Sequence, residues 1–168
     1  MSDLLPPQTD FGAGFEKVTI RQFTIFLDNR VGRLAQLMRC LEEAGLRINA
    51  LTVLESADTA LVRLVCNNPD KGRWCLEENK FPLSETEVLA VELPANESAP
   101  MIAICSALVT AELNIYYAYP LLRAEGKRPA LVLHVDDVHL ASRLLMRKRF
   151  RIIGESDLAS PSGVDDED

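Results

Sequence analysis

One order of strands and helices occurs twice along the chain, and this duplication constrains the fold more than any other feature. Ala44-Gly45-Leu46-Arg47-Ile48 returns as Ala111-Glu112-Leu113-Asn114-Ile115, and Leu61-Val62 returns as Leu131-Val132. The period, about 67–70 residues, is too long for a solenoid repeat and fits a duplicated small domain. The sequence therefore predicts two copies of one small fold.

The first copy is predicted to run strand, helix, strand, strand, helix, strand. Phe23, Ile25 and Leu27 alternate on one face of a strand over 21–27. Apolar residues at helical spacing predict a helix over 33–44, and Gly45 suits its end. The remaining elements are strands over 46–55 and 59–67, a helix from Asn68-Pro69 to about 79, and a strand over 81–86.

The second copy repeats this order. Its predicted elements are a strand over 87–93, a helix over 98–112, strands over 114–122 and 129–135, a helix over 137–149 and a strand over 150–155. Ser98 and Asp137 are the expected helix caps. A βαββαβ order folds into an antiparallel sheet with both helices on one face, so the predicted class is α+β with two ferredoxin-like domains.

The predicted boundaries divide the chain into four parts. The domains span 18–86 and 87–158, and the polar ends 1–17 and 159–168 are predicted to be disordered tails. Each sheet leaves one face to be covered, and Phe26 points to that face of the first strand. We therefore expect the two sheets to cover each other or extend into a shared sheet, or the chain to form a homodimer.

The segment between the first strand and first helix, Asp28-Asn29-Arg30-Val31-Gly32-Arg33-Leu34, carries the main candidate site. Free backbone N–H groups at a helix start favour an anion such as a carboxylate. Gly32 permits close approach of the backbone to a ligand, and Asp28 and Asn29 can accept hydrogen bonds from an ammonium group. The alternative is that Asp28 and Asn29 only cap the helix while Gly32 eases the turn.

This segment resembles the motif of the ACT domain, a family found on regulated enzymes of amino-acid metabolism. The family motif has Asp, a turn, then Pro-Gly-x-Leu, and Val31 stands here in place of the proline. Ile48-Asn49-Ala50-Leu51 is similar to the family's second strand, which lies beside the ligand in many members. The resemblance covers about residues 21–157 as two copies. It implies an amino-acid-binding regulatory protein whose ligand contacts the 28–34 segment and Asn49 at the domain interface.

The second copy departs from the motif. Its loop over 94–101 has no glycine and no aspartate matching Asp28. All three tyrosines of the chain lie in its Tyr116-Tyr117-Ala118-Tyr119 strand, where alternation places Tyr117 and Tyr119 on one face and Tyr116 on the other. Tyr117 and Tyr119 are therefore candidates for an aromatic wall of the ligand site, with packing as the alternative.

Composition argues against several other classes of protein. The formal charge of −7 repels polyanions, so no nucleic-acid partner is expected. No apolar run is long enough for a membrane helix, and residues 1–10 carry no signal sequence, so we expect a cytoplasmic protein. The four cysteines, at 40, 66, 75 and 105, form no Cys-x-x-Cys pair and are expected to be reduced and buried, without metal.

Motifs of catalysis are equally lacking in the sequence. It has no Gly-rich phosphate loop and no Gly-x-Ser-x-Gly elbow, so we expect neither a cofactor nor independent catalysis. The expected function is an amino-acid sensor. The alternative is a regulatory subunit acting in trans on a biosynthetic enzyme, because the small subunits of acetolactate synthase resemble this chain in length and in opening with an ACT domain. The sequence does not identify the amino acid.

Overall fold

A computed structural model describes residues 18–56 and 58–159 of the chain. Its strands are β1 (Ile20–Asp28), β2 (Ile48–Glu55), β3 (Thr59–Cys66), β4 (Leu83–Glu92), β5 (Ile115–Leu121), β6 (Ala130–Val135) and β7 (Ile152–Ile153). Its helices are α1 (Arg33–Glu43), α2 (Pro69–Glu78), α3 (Pro100–Val109), α4 (Val138–Arg147) and α5 (Glu155–Ala159). The tail predicted at 1–17 and residues 160–168 of the tail predicted at 159–168 lie outside the described residues. Ala159, the first residue of that predicted tail, is instead the last residue of α5.

The strands pair antiparallel throughout and join into one closed sheet. The first unit has the order β4–β1–β3–β2, and the second has the equivalent order β7–β4–β6–β5. A pairing of Ala50 in β2 with Leu121 in β5 joins the units on one side. Since β4 also pairs with both β1 and β6, six strands close into a barrel, and the sheets share edges as well as covering each other.

The two strands predicted over 81–86 and 87–93 are in fact one strand, β4. Its first part pairs with β1 up to Val88, opposite Ile20, and its second part pairs with β6 from Leu89, opposite Leu133. The strand continues without a turn, and only its hydrogen-bonding partner changes, from β1 to β6, between Val88 and Leu89. A domain division at 86/87 stays a prediction, since both units use this strand.

Three apolar clusters fill the molecule in layers. The outer face of the first sheet packs on α1 and α2, where Phe23, Ile25 and Leu27 are buried as predicted. The outer face of the second sheet packs on α3 and α4 through Leu89, Leu133 and Leu145. The inner cluster lies between the sheets, and its members are Ile20, Ala50, Val65, Val88, Ala90, Tyr119, Leu121, Ala130, Val132, Ile153 and Leu158.

The helix ends repeat the duplication in backbone geometry. Gly45 after α1 and Glu112 after α3 have φ angles of 65° and 56°, and Lys80 after α2 and Arg149 after α4 have φ angles of 57° and 65°. Left-handed residues of this kind commonly end helices. Equivalent positions of the two units therefore adopt one conformation, although only the first unit has glycine after its first helix.

The predicted caps hold for two helices and fail for a third. The Asn68 side chain accepts from the Lys71 amide (3.0 Å), and Asp137 accepts from the Leu140 amide (2.8 Å). Ser98 does not cap α3, whose first turn follows Ala99 without a side-chain cap. Pro100 at the first helical position explains the difference, because it fixes the start of the helix two residues later than predicted.

The C-terminal strand predicted over 150–155 is reduced to the two residues of β7 and is followed by α5. The Glu155 carboxylate accepts from Arg21 Nε (2.9 Å) and Nη2 (3.1 Å), and Leu158 reaches the inner cluster. α5 therefore fastens one end of the barrel. None of the helices in residues 18–56 and 58–159 is long and apolar enough to cross a membrane.

Candidate functional site

The predicted loop lies at the end of β1, where Gly32 precedes α1 with φ +88°. A Cβ placed on Gly32 would have no heavy atom within 4 Å. Glycine is therefore required here by its backbone conformation, since no neighbour in the chain crowds the position. The close approach that the sequence predicted is not made by any described residue of the same chain.

The side chains at this loop leave the start of α1 uncapped. No side chain in residues 18–56 and 58–159 accepts from the first turn, so Asp28 and Asn29 do not cap the helix in this structure. The backbone makes a tight turn in which the Arg30 N–H donates to the Asp28 carbonyl oxygen (2.7 Å). Within the described residues, the amides of Leu34 and Ala35 have no recorded acceptor. The loop therefore carries free N–H donors at its helix end and an exposed carboxylate, that of Asp28, at its strand end.

Of the remaining loop side chains, Val31 and Leu34 are exposed, whereas Arg33 packs against an aromatic ring. Val31 is fully exposed and Leu34 is exposed in part. The Arg33 guanidinium lies over the Phe81 ring (5.4 Å to the centroid) and donates to Gln36 Oε1 (2.7 Å). The Nε of Arg33 is buried and has no hydrogen-bond partner among the residues that the structure describes. Arg33 therefore adds a positive charge near the helix start.

Asn49 does not meet this loop within the chain. Asp28 pairs with Thr59, next to the β2–β3 turn, whereas Asn49 lies at the far end of β2, between Ile48 and Ala50. Six residues of strand separate these two levels, or about 20 Å at ~3.3 Å per residue. Asn49 is 4% exposed, and its Nδ2 donates to the Leu158 carbonyl oxygen (3.3 Å). This hydrogen bond holds α5 against β2.

Tyr117 and Tyr119 do share a face, and they meet a glutamine of the first unit inside the barrel. The Tyr119 hydroxyl donates to Gln22 Oε1 (2.7 Å), and Gln22 Nε2 donates to the Tyr117 hydroxyl (2.8 Å). Gln22 is completely buried, so these bonds satisfy its amide group. Burial, and secondly Tyr117, raise the pKa of Tyr119. Tyr119 therefore stays a neutral hydrogen-bonding group.

Two further residues complete this cluster at the interface of the units. The Arg63 guanidinium from β3 lies 3.7 Å from the Tyr117 ring centroid. The His134 ring from β6 packs against the Tyr117 ring at 4.9 Å between centroids, with the two ring planes tilted by 37°. Burial, and secondly the charge of Arg63, lower the pKa of His134. The Arg63 guanidinium from the first unit and the His134 imidazole from the second unit thus both contact the Tyr117 ring.

The sequence analysis missed Gln22, Arg63 and His134. A signal for Arg63 was present, because it is the only charged residue in the apolar run from Ala60 to Cys66 and alternation places it on the face opposite the helices. Gln22 and His134 carry no such signal, since a single polar residue in a strand is usually exposed. Their meeting depends on how the two units close.

Comparisons with known proteins agree with this architecture. The sequence profile of the ACT domain pair matches residues 18–161. A solved protein from Bacteroides thetaiotaomicron superposes with a TM-score of 0.77 at 25% identity, covering 86% of this chain and 98% of that one. The ligand-free regulatory subunit of aspartate kinase from Thermus thermophilus superposes with a TM-score of 0.54 at 10% identity, covering 77% and 92%. This second likeness shows the fold alone. No curated protein matches the sequence.

Proposed function

The chain belongs to the ACT domain pair family, and from this premise we propose that it is a regulatory protein that binds a free amino acid and has no catalytic activity of its own. The observation that carries the proposal is the extent of the match, residues 18–161, which takes in both units. The described chain therefore consists of domains whose family role is regulation by amino acids.

The proposal places the amino acid at the loop from Asp28 to Leu34. The amides at the start of α1 would receive the carboxylate, because they are donors at the positive end of the helix dipole. Asp28 and Asn29 would receive the ammonium group, since both side chains are exposed and neither caps the helix. Asn49 is left out of the binding set because it holds α5 in place.

The proposal extends to assembly as a homodimer. It is supported by apolar side chains that face solvent on α3, namely Met101, Ile102 and Val109. Such a face is typical of association surfaces. Light scattering should give about twice the chain mass of 18.7 kDa. Co-purification of a larger catalytic chain would favour the regulatory-subunit alternative, and a monomer would contradict the dimer.

A thermal-shift screen of the twenty amino acids tests the function. A ligand at 100 times its Kd adds about 2.7 kcal/mol to the free energy of unfolding. We expect at least one amino acid to stabilise the chain at millimolar concentration. If none does, the proposed function is wrong.

Calorimetry with the amino acid that stabilises the chain then tests the site. Asn29→Ala should weaken binding roughly 10-fold or more, because a hydrogen bond to a charged group is worth about 1.5–3 kcal/mol. Asn96→Ala is the matched control, since Asn96 is exposed in the equivalent loop of the second unit. Equal affinity of the wild type and the Asn29 variant would move the site away from this loop.

A further inference from the structure

The second unit covers only part of the inner face of the first sheet, and the rest of that face is exposed to solvent. Phe26 pairs with Leu61, and Leu61 pairs with Leu54, so these three side chains form one row across the strands. Phe26 is 42% exposed and Leu54 is 43% exposed. We call this set, Phe26, Leu61 and Leu54, the open apolar row. It is an uncovered apolar strip inside the mouth of the barrel.

Arg63 lies in the next row towards the closed core, flanked by Thr24 and Thr52. Adjacent rows on one face of a strand are about 7 Å apart, so the guanidinium and the open apolar row are within the span of one small molecule. Asp28 lies one row beyond the apolar strip, opposite Thr59. The face therefore runs from a cation through an apolar strip to an anion.

The charge of Arg63 is not neutralised within the part of the chain that the structure describes. Its guanidinium rests on the Tyr117 ring and has neither a carboxylate nor a hydrogen-bond acceptor there. Two other partly buried arginines are each paired with a carboxylate, Arg123 with Glu92 (2.8 Å) and Arg21 with Glu155 (2.9 Å). A guanidinium offers five donors suited to a carboxylate. Stacking on Tyr117 satisfies none of them, so they remain free for a ligand.

We propose that this inner face binds a monocarboxylate with an apolar tail, with its carboxylate on Arg63 and its tail along the open apolar row. The ligand would contact both units, because Tyr117 of the second unit holds the guanidinium from behind. Asp28 would repel a second carboxylate at the far end of the tail, which favours monocarboxylates over dicarboxylates. The site adjoins the α1 loop at Asp28, but its carboxylate position on Arg63 lies two rows away along the sheet and does not depend on the proposed amino-acid ligand.

The pKa of His134, followed by NMR, provides a measure of binding at this site. It faces Arg63 from β3 and the rings of Tyr116 and Tyr117 from β5, and its Nδ1 is buried without a hydrogen-bond partner in residues 18–56 and 58–159. A carboxylate bound at Arg63 would offset the positive charge that lowers the pKa of His134, so binding should raise that pKa. The only other histidine, His139, is exposed on α4 and serves as an internal reference.

The experiment titrates the wild-type chain with 4-methylpentanoate and follows both histidine rings by NMR. We expect a saturable shift of the His134 signals and a rise in its pKa, with His139 unchanged. The matched ligand 4-methylpentanamide has the same tail without the charge and should leave His134 unmoved. No saturable response to the acid at tens of millimolar, or an equal response to the amide, overturns the proposal.

Variants locate the site. Arg63→Met should weaken binding of the acid 10-fold or more, and Arg39→Met, on the exposed surface of α1, should leave it unchanged. Retained affinity in a folded Arg63→Met chain contradicts the site. If that variant does not fold, the comparison of acid and amide in the wild type decides alone. The two proposals can fail separately. If Asn29→Ala loses amino-acid binding but His134 of the wild type does not respond to 4-methylpentanoate, this site is refuted and the proposed function stands. If His134 responds to 4-methylpentanoate but no amino acid stabilises the chain, the proposed function is refuted and this site stands.

Discussion

Gly32 holds the start of α1 in a conformation that few other residues adopt. Its φ of +88° lies in the left-handed region, and the space around a Cβ at this position is empty. A side chain would therefore strain the backbone without touching a neighbour. Substitution to alanine consequently mixes an effect on folding with any effect on a ligand, and asparagine, which tolerates this region, separates the two.

We expect Gly32→Ala to lower the free energy of unfolding by roughly 1–2 kcal/mol, the cost of a left-handed residue with a Cβ. Gly32→Asn should lose less, because its side chain can bond locally. Urea unfolding of both variants measures the difference. Equal stability of wild type and Gly32→Ala would mean that the loop relaxes, and the argument from conformation would then fail.

His134 couples the unit interface to pH. Burial and Arg63 hold its pKa below the ordinary value of 6.5, so the unfolded chain binds a proton more readily than the folded one. The contribution to stability is complete above pH about 6.5 and is lost as the pH falls through that value towards the folded pKa. We expect His134→Gln to flatten the fall in unfolding free energy between about pH 7 and pH 5 in urea titrations. Identical slopes for His134→Gln and the wild type would count against the shifted pKa.

Among the elements, the helix ends show which differences between the two units are tolerated. Gly45 and Glu112 occupy equivalent left-handed positions after α1 and α3. The hydrogen bonds around them are also equivalent: the Leu46 amide donates to Leu41, and the Leu113 amide donates to Leu108. Glu112 therefore adopts a conformation that glycine would adopt with less strain.

Glu112→Gly should raise the free energy of unfolding by about 0.5–1 kcal/mol, because it removes this strain at a helix end where glycine is preferred. Thermal denaturation should show a rise in Tm of roughly 1–4 °C for a chain of this size. The reciprocal Gly45→Glu should lower it. A destabilised Glu112→Gly would indicate that the glutamate makes a contact that outweighs the strain.

The elements also show what sequence patterns can and cannot predict. Alternation placed Phe23, Ile25 and Leu27 in the core, and capping residues placed α2 and α4, because these signals act over a few residues. The continuity of β4 was missed, since it depends on partners far along the chain. α5 was missed because its five residues are held by Arg21 and the inner cluster and have little helical periodicity of their own. The loop residues were predicted from a motif within one short segment. Gln22, Arg63 and His134 come together only when the two units close into the barrel, so no local pattern predicts their meeting.

At the scale of the whole molecule, the two units share more than a linker. β4 belongs to both sheets, and the inner cluster takes Ile20 and Val65 from the first unit and Val132 and Ile153 from the second. Separating the units would expose this cluster and break the β2–β5 pairing. Binding of a ligand at Arg63 would therefore affect both units, because they share β4 and the inner cluster.

This sharing predicts that both units unfold together, which native-state hydrogen exchange can measure. The amides of Val62 in β3 and Leu133 in β6 should open with the same free energy, because each lies in a sheet that needs the other. Leu158→Ala should lower both values together by roughly 2–3 kcal/mol, since Leu158 is buried in the cluster between the sheets. Leu122→Ala is the control, because Leu122 is 59% exposed and should change neither value. If Leu158→Ala lowered the value for Leu133 alone, the units would be separate folding domains that merely touch, and the shared strand would not couple them.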